Sequence, residues 1–406
     1  MSRRYSLFPR ESLGRVSKHT GLRVASQVDK KPKRIVFVSV QNSQTTHILD
    51  AQIPPIRTGY DMVLPHRNGP LYATMAKQDG VVEYLGTKAI RIEYKDGSKE
   101  IVEIGTIFGK WSGKVIPHRL ATRLKQGDQV KEGDVIAYNK LFYRFDPLFP
   151  DQIALTIGRI GYYTLQDRRE CYEDGAMDHR RFADKMRTSS AHVRTILVDF
   201  GLEVRNLLKV GTHVEADSIL CTLHAQQGGS TGGFDDRALA TLQRINALNP
   251  KADYDGTIES YRVLYTGDLE FMSGSLRAIA QESDDKISSE RRQLKLPPVD
   301  GSVEVGFRSG KTVLGPNQAM IEVYITHETD FASGDKKVLG LQMKSVSGKI
   351  VDQVFETESG IPLDGSFGGD SLERRIVDSP IRGATSNTLG IHFSKMFAKK
   401  FREAGG

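Results

Sequence analysis

Short runs of alternating apolar and polar residues, separated by glycine-bearing turns, make up most of this chain. Val81-Val82-Glu83-Tyr84-Leu85 and Ala89-Ile90-Arg91-Ile92-Glu93-Tyr94 run into Lys95-Asp96-Gly97-Ser98, and Ile101-Val102-Glu103-Ile104 returns. Alternation with a period of two around an Asp-Gly turn predicts hairpins. A further apolar strand is predicted over Ala319-Met320-Ile321-Glu322-Val323-Tyr324-Ile325. Many short strands between turns argue for barrels rather than a doubly wound sheet. The expected fold class is mainly β with some α.

One strand-and-turn pattern occurs twice. Leu124-Lys125-Gln126-Gly127-Asp128-Gln129-Val130-Lys131-Glu132-Gly133-Asp134-Val135-Ile136-Ala137 returns in degraded form as Leu208–Cys221, 84 residues later. Each copy reads as turn, short strand, turn, strand, the hairpin unit of small sandwiched barrels. Two copies are too few for a solenoid and predict two similar small β modules. Helical periodicity is confined to Arg237–Ala247, Ser273–Arg292 and Leu389–Glu403. The last carries Phe393, Phe397 and Phe401 four residues apart, with Lys395, Lys399, Lys400 and Arg402 between them. That spacing predicts an amphipathic helix, its aromatic stripe either packed in the core or offered to another chain. Gln226–Gly233, with its glycines, serine and threonine, reads as a flexible loop or linker.

Composition narrows the class without naming it. With 406 residues, 38% hydrophobic and 26% charged, the chain is long enough for two or three domains and ordinary for a globular protein. The formal charge of +7 leans basic, compatible with nucleic acid. The excess is concentrated at the start: Arg3, Arg4, Arg10, Arg15, Lys18, Arg23, Lys30, Lys31, Lys33 and Arg34 face only Glu11 and Asp29 across residues 1–34. Two cysteines, Cys171 and Cys221, make no CxxC pair and fit a reducing compartment. No apolar run approaches membrane-span length, so a soluble protein without a membrane partner is expected.

Several apparent motifs lack their context. Gly306-Phe307-Arg308-Ser309-Gly310-Lys311-Thr312 has one residue too few between its glycines for a P-loop, and strand-like sequence follows it. Gly228-Gly229-Ser230-Thr231-Gly232 spells a nucleophile elbow inside a low-complexity loop. Asp178-His179 pairs two metal-ligand types, yet the other histidines are scattered. Two features carry more. In Gly334-Asp335-Lys336-Lys337 a Gly-Asp turn aims a lysine off a strand end, and Lys344 follows eight residues after Lys336. Two fixed ammonium groups suit a phosphate-rich transition state. In Tyr172-Glu173-Asp174-Gly175-Ala176, adjacent carboxylates point different ways, so one could be fixed near a metal-bound triphosphate.

Taken in order, several segments resemble the C-terminal half of the β subunit of multisubunit DNA-dependent RNA polymerases. They are Asn42-Ser43-Gln44 through Ala51-Gln52-Ile53-Pro54-Pro55 to Tyr60, Asp79–Tyr84, Gly127–Ala137, Ala154-Leu155-Thr156-Ile157-Gly158, Tyr172–Ala176, and Gly334-Asp335-Lys336 with Lys344. The blocks span about residues 36–385 and are continuous nowhere; their co-linear order makes the set specific. Gly340-Leu341-Gln342 and Ser345 depart from the family's Arg-His-Gly and glycine at those places. Lys251–Thr257 partly imitates the three-aspartate motif of the partner β′ subunit, with Thr257 in place of the third aspartate. A divergent β subunit split into separate polypeptides resembles the polymerases of giant (jumbo) bacteriophages.

The resemblance implies a double-ψ β-barrel catalytic core, small barrel-sandwich or flap-like modules and a C-terminal interface helix. The implied division is a basic arm (1–35), a first core part (36–177), a flap or wall module (178–300), a second core part (301–385) and the helix (386–406). Lys336 and Lys344 would contact the RNA 3′ end and the incoming nucleotide phosphates. Glu173 and Asp174 would lie near the second, nucleotide-borne Mg²⁺, while the partner β′-like chain holds the catalytic ion. Arg374 or Arg375 would bind the triphosphate, and Gln52 is a further substrate-binding candidate. The implied partners are β N-terminal-like and β′-like chains, DNA template, RNA and NTPs. The implied location is host cytoplasm, a phage-induced compartment or the virion. A noncatalytic nucleic-acid-binding or virion structural protein, and a biotinyl-like carrier, are the competing classes.

Overall fold

The computed structural model describes residues 47–54, 62–111, 114–156, 158–166, 169–171, 175–225, 249–339, 343–358, 360–368 and 379–404. It is mainly β, as the alternation predicts, and divides into two compact units. One draws on residues 1–113, 118–189 and 329–406, the other on 114–117 and 190–328. The described sheets are open, so the barrel closure implied by the resemblance is not formed among the described residues.

In the first unit, Gly80–Leu85, Ala89–Tyr94 and Lys99–Glu103 form the expected antiparallel meander, with Gln129–Val130 beside the first strand. Val82, Ile90, Ile92, Val102 and Val130 are buried together with Ile136 in one apolar cluster. The turn closes as the sequence requires: Gly97 adopts φ +82°, and Ser98 N donates to Asp96 Oδ1 at 2.9 Å.

A second, five-stranded sheet of this unit has the order Tyr163–Leu165, Gly365–Phe367, Gly175–His179, Met343–Val351, Lys336–Leu339. Parallel and antiparallel pairs mix in it: Gly175–His179 runs parallel to Met343–Val351 and antiparallel to Gly365–Phe367. The unit also holds the helix Ser379–Glu403, whose Phe393, Phe397 and Phe401 are more than half exposed. Of the two readings of that aromatic stripe, core packing is not the one formed.

In the second unit, Gly256–Tyr265 pairs antiparallel with Gln318–Thr329, which contains the predicted Ala319–Ile325. Helix Gly274–Gln293, predicted over Ser273–Arg292, lays Leu276 and Ala280 into a cluster with Val263, Ile321 and Val323. Its start is fixed by Ser273, whose Oγ accepts from Leu276 N at 3.3 Å, an N-capping contact. The helix and loop expected within 226–248 lie outside the described residues.

The internal repeat is structural. Gly127 and Gly211 both take φ +91°, at the first turn of each copy. Asp128 N donates to Lys125 O and Thr212 N to Lys209 O, each at 3.1 Å. At the second turn Gly133 has φ +88°, and its counterpart Asp217 holds φ +66°. Val130 and Val214, then Ile136 and Leu220, occupy equivalent buried positions. The copies lie in separate units. The P-loop imitation is a hairpin, Arg308–Ser309 against Thr312–Val313, as its missing helix implied. Asp253 and Asp255 of the aspartate look-alike are tied to Arg194 (3.3 Å) and to Ala216 N (2.6 Å).

Two predictions follow from these placements. Gly133→Ala should destabilise the chain by about 1–2 kcal/mol, the cost of a Cβ in the left-handed region, whereas Asp217→Gly should not destabilise it. Denaturant unfolding of both variants checks this. His47 and His118 are buried, near Ser189 Oγ and Asn139 Nδ2 respectively (2.9 Å each), and burial pushes both down to about 4. Unfolded histidines titrate near 6.5, so the stability of the neutral pair is complete above that pH and is lost as pH falls toward 4. The thermal midpoint should fall across that window, and His47→Gln/His118→Gln should flatten the fall.

Candidate functional site

The strand pair that carries the lysines is built outward from the turn leading into its first strand. Gly334 adopts φ +94°, a conformation open to glycine, and its N donates to Ser347 O at 2.7 Å. Ser347 N returns a bond to Asp335 O at 2.9 Å, and Asp335 Oδ2 accepts from Ala332 N at 2.9 Å. These bonds fix where Lys336–Leu339 begins.

From there the register runs Lys336↔Val346, Lys337↔Ser345, Val338↔Lys344 and Leu339↔Met343. Directly opposed residues share a face and neighbours along a strand alternate, so Lys336, Val338, Lys344 and Val346 lie on one face. Lys336 and Lys344 are diagonal neighbours there, a relation that puts Cβ atoms roughly 7–8 Å apart. Lysine side chains reach farther than half that span, so both ammonium groups can meet one phosphate group. Lys336 is exposed and Lys344 half-buried. Val346 also pairs with Gly175, so Lys336, Val346 and Gly175 form one row across the sheet.

The opposite face is buried and polar. Lys337 extends into it and forms an ion pair with Asp178 Oδ1, both side chains almost wholly enclosed. Tyr163 OH donates to the same Asp178 oxygen at 2.5 Å and accepts from Lys337 Nζ at 3.1 Å. The ammonium also sits 4.6 Å from the centre of the Tyr163 ring, a cation–π distance. Burial holds the Lys337 ammonium below the ordinary lysine range, with the Asp178 charge opposing that shift. Burial, and then the Asp178 charge, hold the Tyr163 hydroxyl well above its ordinary value, so it remains a donor. Asp364 secures the flanking strands: its Oδ2 accepts from Tyr162 N at 2.9 Å, and Arg181 pairs with its Oδ1 at 2.9 Å.

Gln52 is a stitch between segments. Its N donates to Gly158 O at 2.6 Å and its side-chain Oε1 accepts from Ile160 N at 2.9 Å. Glu173, Asp174, Arg374 and Arg375 lie outside the described residues; Gly175, next after Asp174, heads the strand in the Lys336 row. Asp178 and His179 do not pair as metal ligands: Asp178 takes Lys337, and His179 Nδ1 accepts from Arg181 N at 3.1 Å, capping a short helix. Among the described residues no group of three or more His, Cys, Asp or Glu side chains could hold a metal ion. No described helix is long and apolar enough to cross a membrane.

The Lys337–Asp178–Tyr163 cluster escaped the sequence reading. Its one sequence signal is a charged residue following Ala176-Met177 in a short strand, the same Asp178 that reads as a possible metal ligand. No family model matches the chain. Over 94 residues, 23% of its length, it is 31% identical to the DNA-directed RNA polymerase subunit beta of Streptococcus sanguinis (strain SK36). The matched part spans 8% of that relative's length. The similarity relates the chain to RNA polymerase β subunits and says nothing of individual residues.

Inward and outward lysines should respond differently to the same substitution. Lys337→Met strands a buried carboxylate and should cost roughly 3–5 kcal/mol, while Lys336→Met should change stability by less than about 0.5 kcal/mol. Chemical denaturation of the two variants side by side distinguishes them.

Proposed function

We propose that this chain is a β-like subunit of a multisubunit DNA-dependent RNA polymerase, corresponding to the C-terminal part of β. The observation that carries the reading is the common outward face of Lys336 and Lys344, on a hairpin whose sequence resembles the family's Gly-Asp-Lys block. The partial similarity to a bacterial β subunit supports the same assignment. Completion of the enzyme falls to β N-terminal-like and β′-like chains, and the split arrangement resembles that of giant bacteriophages. The proposed core is a double-ψ barrel, completed together with partner chains.

The chain's own contribution to the reaction is electrostatic. Lys336 and Lys344 orient the RNA 3′ end and the nucleotide phosphates, and their charges offset negative charge that grows as the α-phosphate is attacked in line. Fixed cations held by a hydrogen-bonded turn need little reorganisation at that moment. Arg374 or Arg375 adds a triphosphate contact, and Glu173 and Asp174 are assigned to the neighbourhood of the nucleotide's metal. The described residues offer no cluster fit to hold Mg²⁺. The catalytic ion, which activates the 3′-hydroxyl, is assigned to the β′-like partner. Arginines and lysines of residues 1–34 contact nucleic-acid backbone or acidic partner surfaces without reading sequence.

The test is template-directed nucleotide incorporation by the complex that copurifies with the tagged chain. Lys336→Ala/Lys344→Ala should assemble normally and lose at least about 10²-fold in kcat/KM for NTP, the scale of losing transition-state donors. Full activity in an intact double variant would remove both lysines from the chemistry. A wild-type complex that makes no RNA would favour a structural, nucleic-acid-binding role.

A further inference from the structure

Lys336 and Lys337 are adjacent and chemically identical, yet the hairpin sends one outward and buries the other. Alternation makes this a binary choice. A shift of the strand by one residue would turn Lys336 inward and carry Lys337 to the face of Lys344. The lysines themselves do not decide between the two registers, and the Gly334 and Asp335 bonds to Ser347 restrain only the start of the strand.

We propose that Asp178 makes that choice: by accepting Lys337 on the inner face it positions Lys336 beside Lys344 on the outer one. The Asp178 side chain is fully buried and its Oδ1 already receives the Lys337 ammonium and the Tyr163 hydroxyl. Around this pair, Cys171 acts electrostatically on Lys337, and the Asp364 carboxylate, paired with Arg181, acts on Tyr163. Ser345, opposite Lys337, and Ser347 are both fully buried. Their hydroxyls and Asp178 Oδ2 have no hydrogen-bond partner among the described residues. A lysine turned inward thus meets Asp178, while Asp364 already has Arg181 as its cation, and Asp178 is fixed at one level of the sheet by the strand Gly175–His179. A buried pair of this kind adds little stability over an apolar pair of equal volume, but a buried lysine without its partner is strongly unfavourable. That asymmetry penalises the wrong register more than it rewards the right one. Asp178 is a positioning residue in this role. What Lys336 and Lys344 bind rests on the polymerase reading; which lysine faces outward does not.

The experiment has two readouts on the full-length chain in its native complex: amine labelling resolved by peptide mass spectrometry, and nucleotide incorporation. In the wild type Lys336 should label at least about tenfold faster than Lys337. Asp178→Asn keeps the shape and removes the charge; the labelling ratio should collapse toward one, with kcat/KM for NTP down at least about tenfold. Asp178→Val/Lys337→Met leaves one lysine in the dyad and an apolar inner pair. It should keep Lys336 reactive and restore kcat/KM to within about threefold of wild type. Equal labelling of both lysines in the wild type, or an unchanged ratio in Asp178→Asn, overturns the inference. A double variant that fails to fold, or folds with Lys336 protected, overturns it as well, and it decides the matter if Asp178→Asn does not fold. If the wild-type complex makes no RNA, the polymerase reading fails and the labelling ratios alone judge the register.

Discussion

A buried lysine and a buried aspartate on strands far apart in sequence are the constraint on which the candidate site depends. Lys337, Asp178 and Tyr163 come from three strands of one sheet, and each satisfies a polar group of the others. Removing two charges from water is expensive, and their attraction offsets that cost only with close geometry and further hydrogen bonds. The strands Tyr163–Leu165, Gly175–His179 and Lys336–Leu339 are therefore held in a narrow range of relative positions. The outward lysines inherit that precision, because a side chain's face is fixed once its neighbour's is.

The turn acts at the other end of the same strand. The Gly334–Asp335 bonds to Ser347 set where pairing begins, and the ion pair sets how the strand is rotated. Outside, the face is open to solvent at Lys336. Inside, the opposite face is closed and its charges are paired. The two faces of the sheet thus divide the work, one holding the geometry and the other presenting the charge.

Elsewhere the fold reuses a small module with different chemistry. The turn–strand–turn–strand unit occurs in both compact units with matching φ angles and buried positions, although glycine gives way to aspartate at the second turn. Aspartate is among the residues that tolerate the left-handed region, which is why the copy survives that change. The C-terminal helix shows the opposite case. Its aromatic spacing is regular, but spacing cannot say whether a stripe is covered, and in this chain it is exposed.

The sequence by itself determined the local elements: the meander around Asp96-Gly97, the repeated turns, the helix at Gly274–Gln293 and the long strand Gln318–Thr329. Those follow from periodicity and turn chemistry, which act over a few residues. It also supplied the Gly-Asp-Lys segment and its second lysine, since their spacing is local. It did not reveal Asp178 as the partner of Lys337, 159 residues away, because pairing across such a separation leaves no periodic trace. Nor could it separate Lys336 from Lys337, whose local chemistry is the same. Only the tertiary structure decided which lysine faces out, because that depends on where a buried carboxylate on another strand comes to rest.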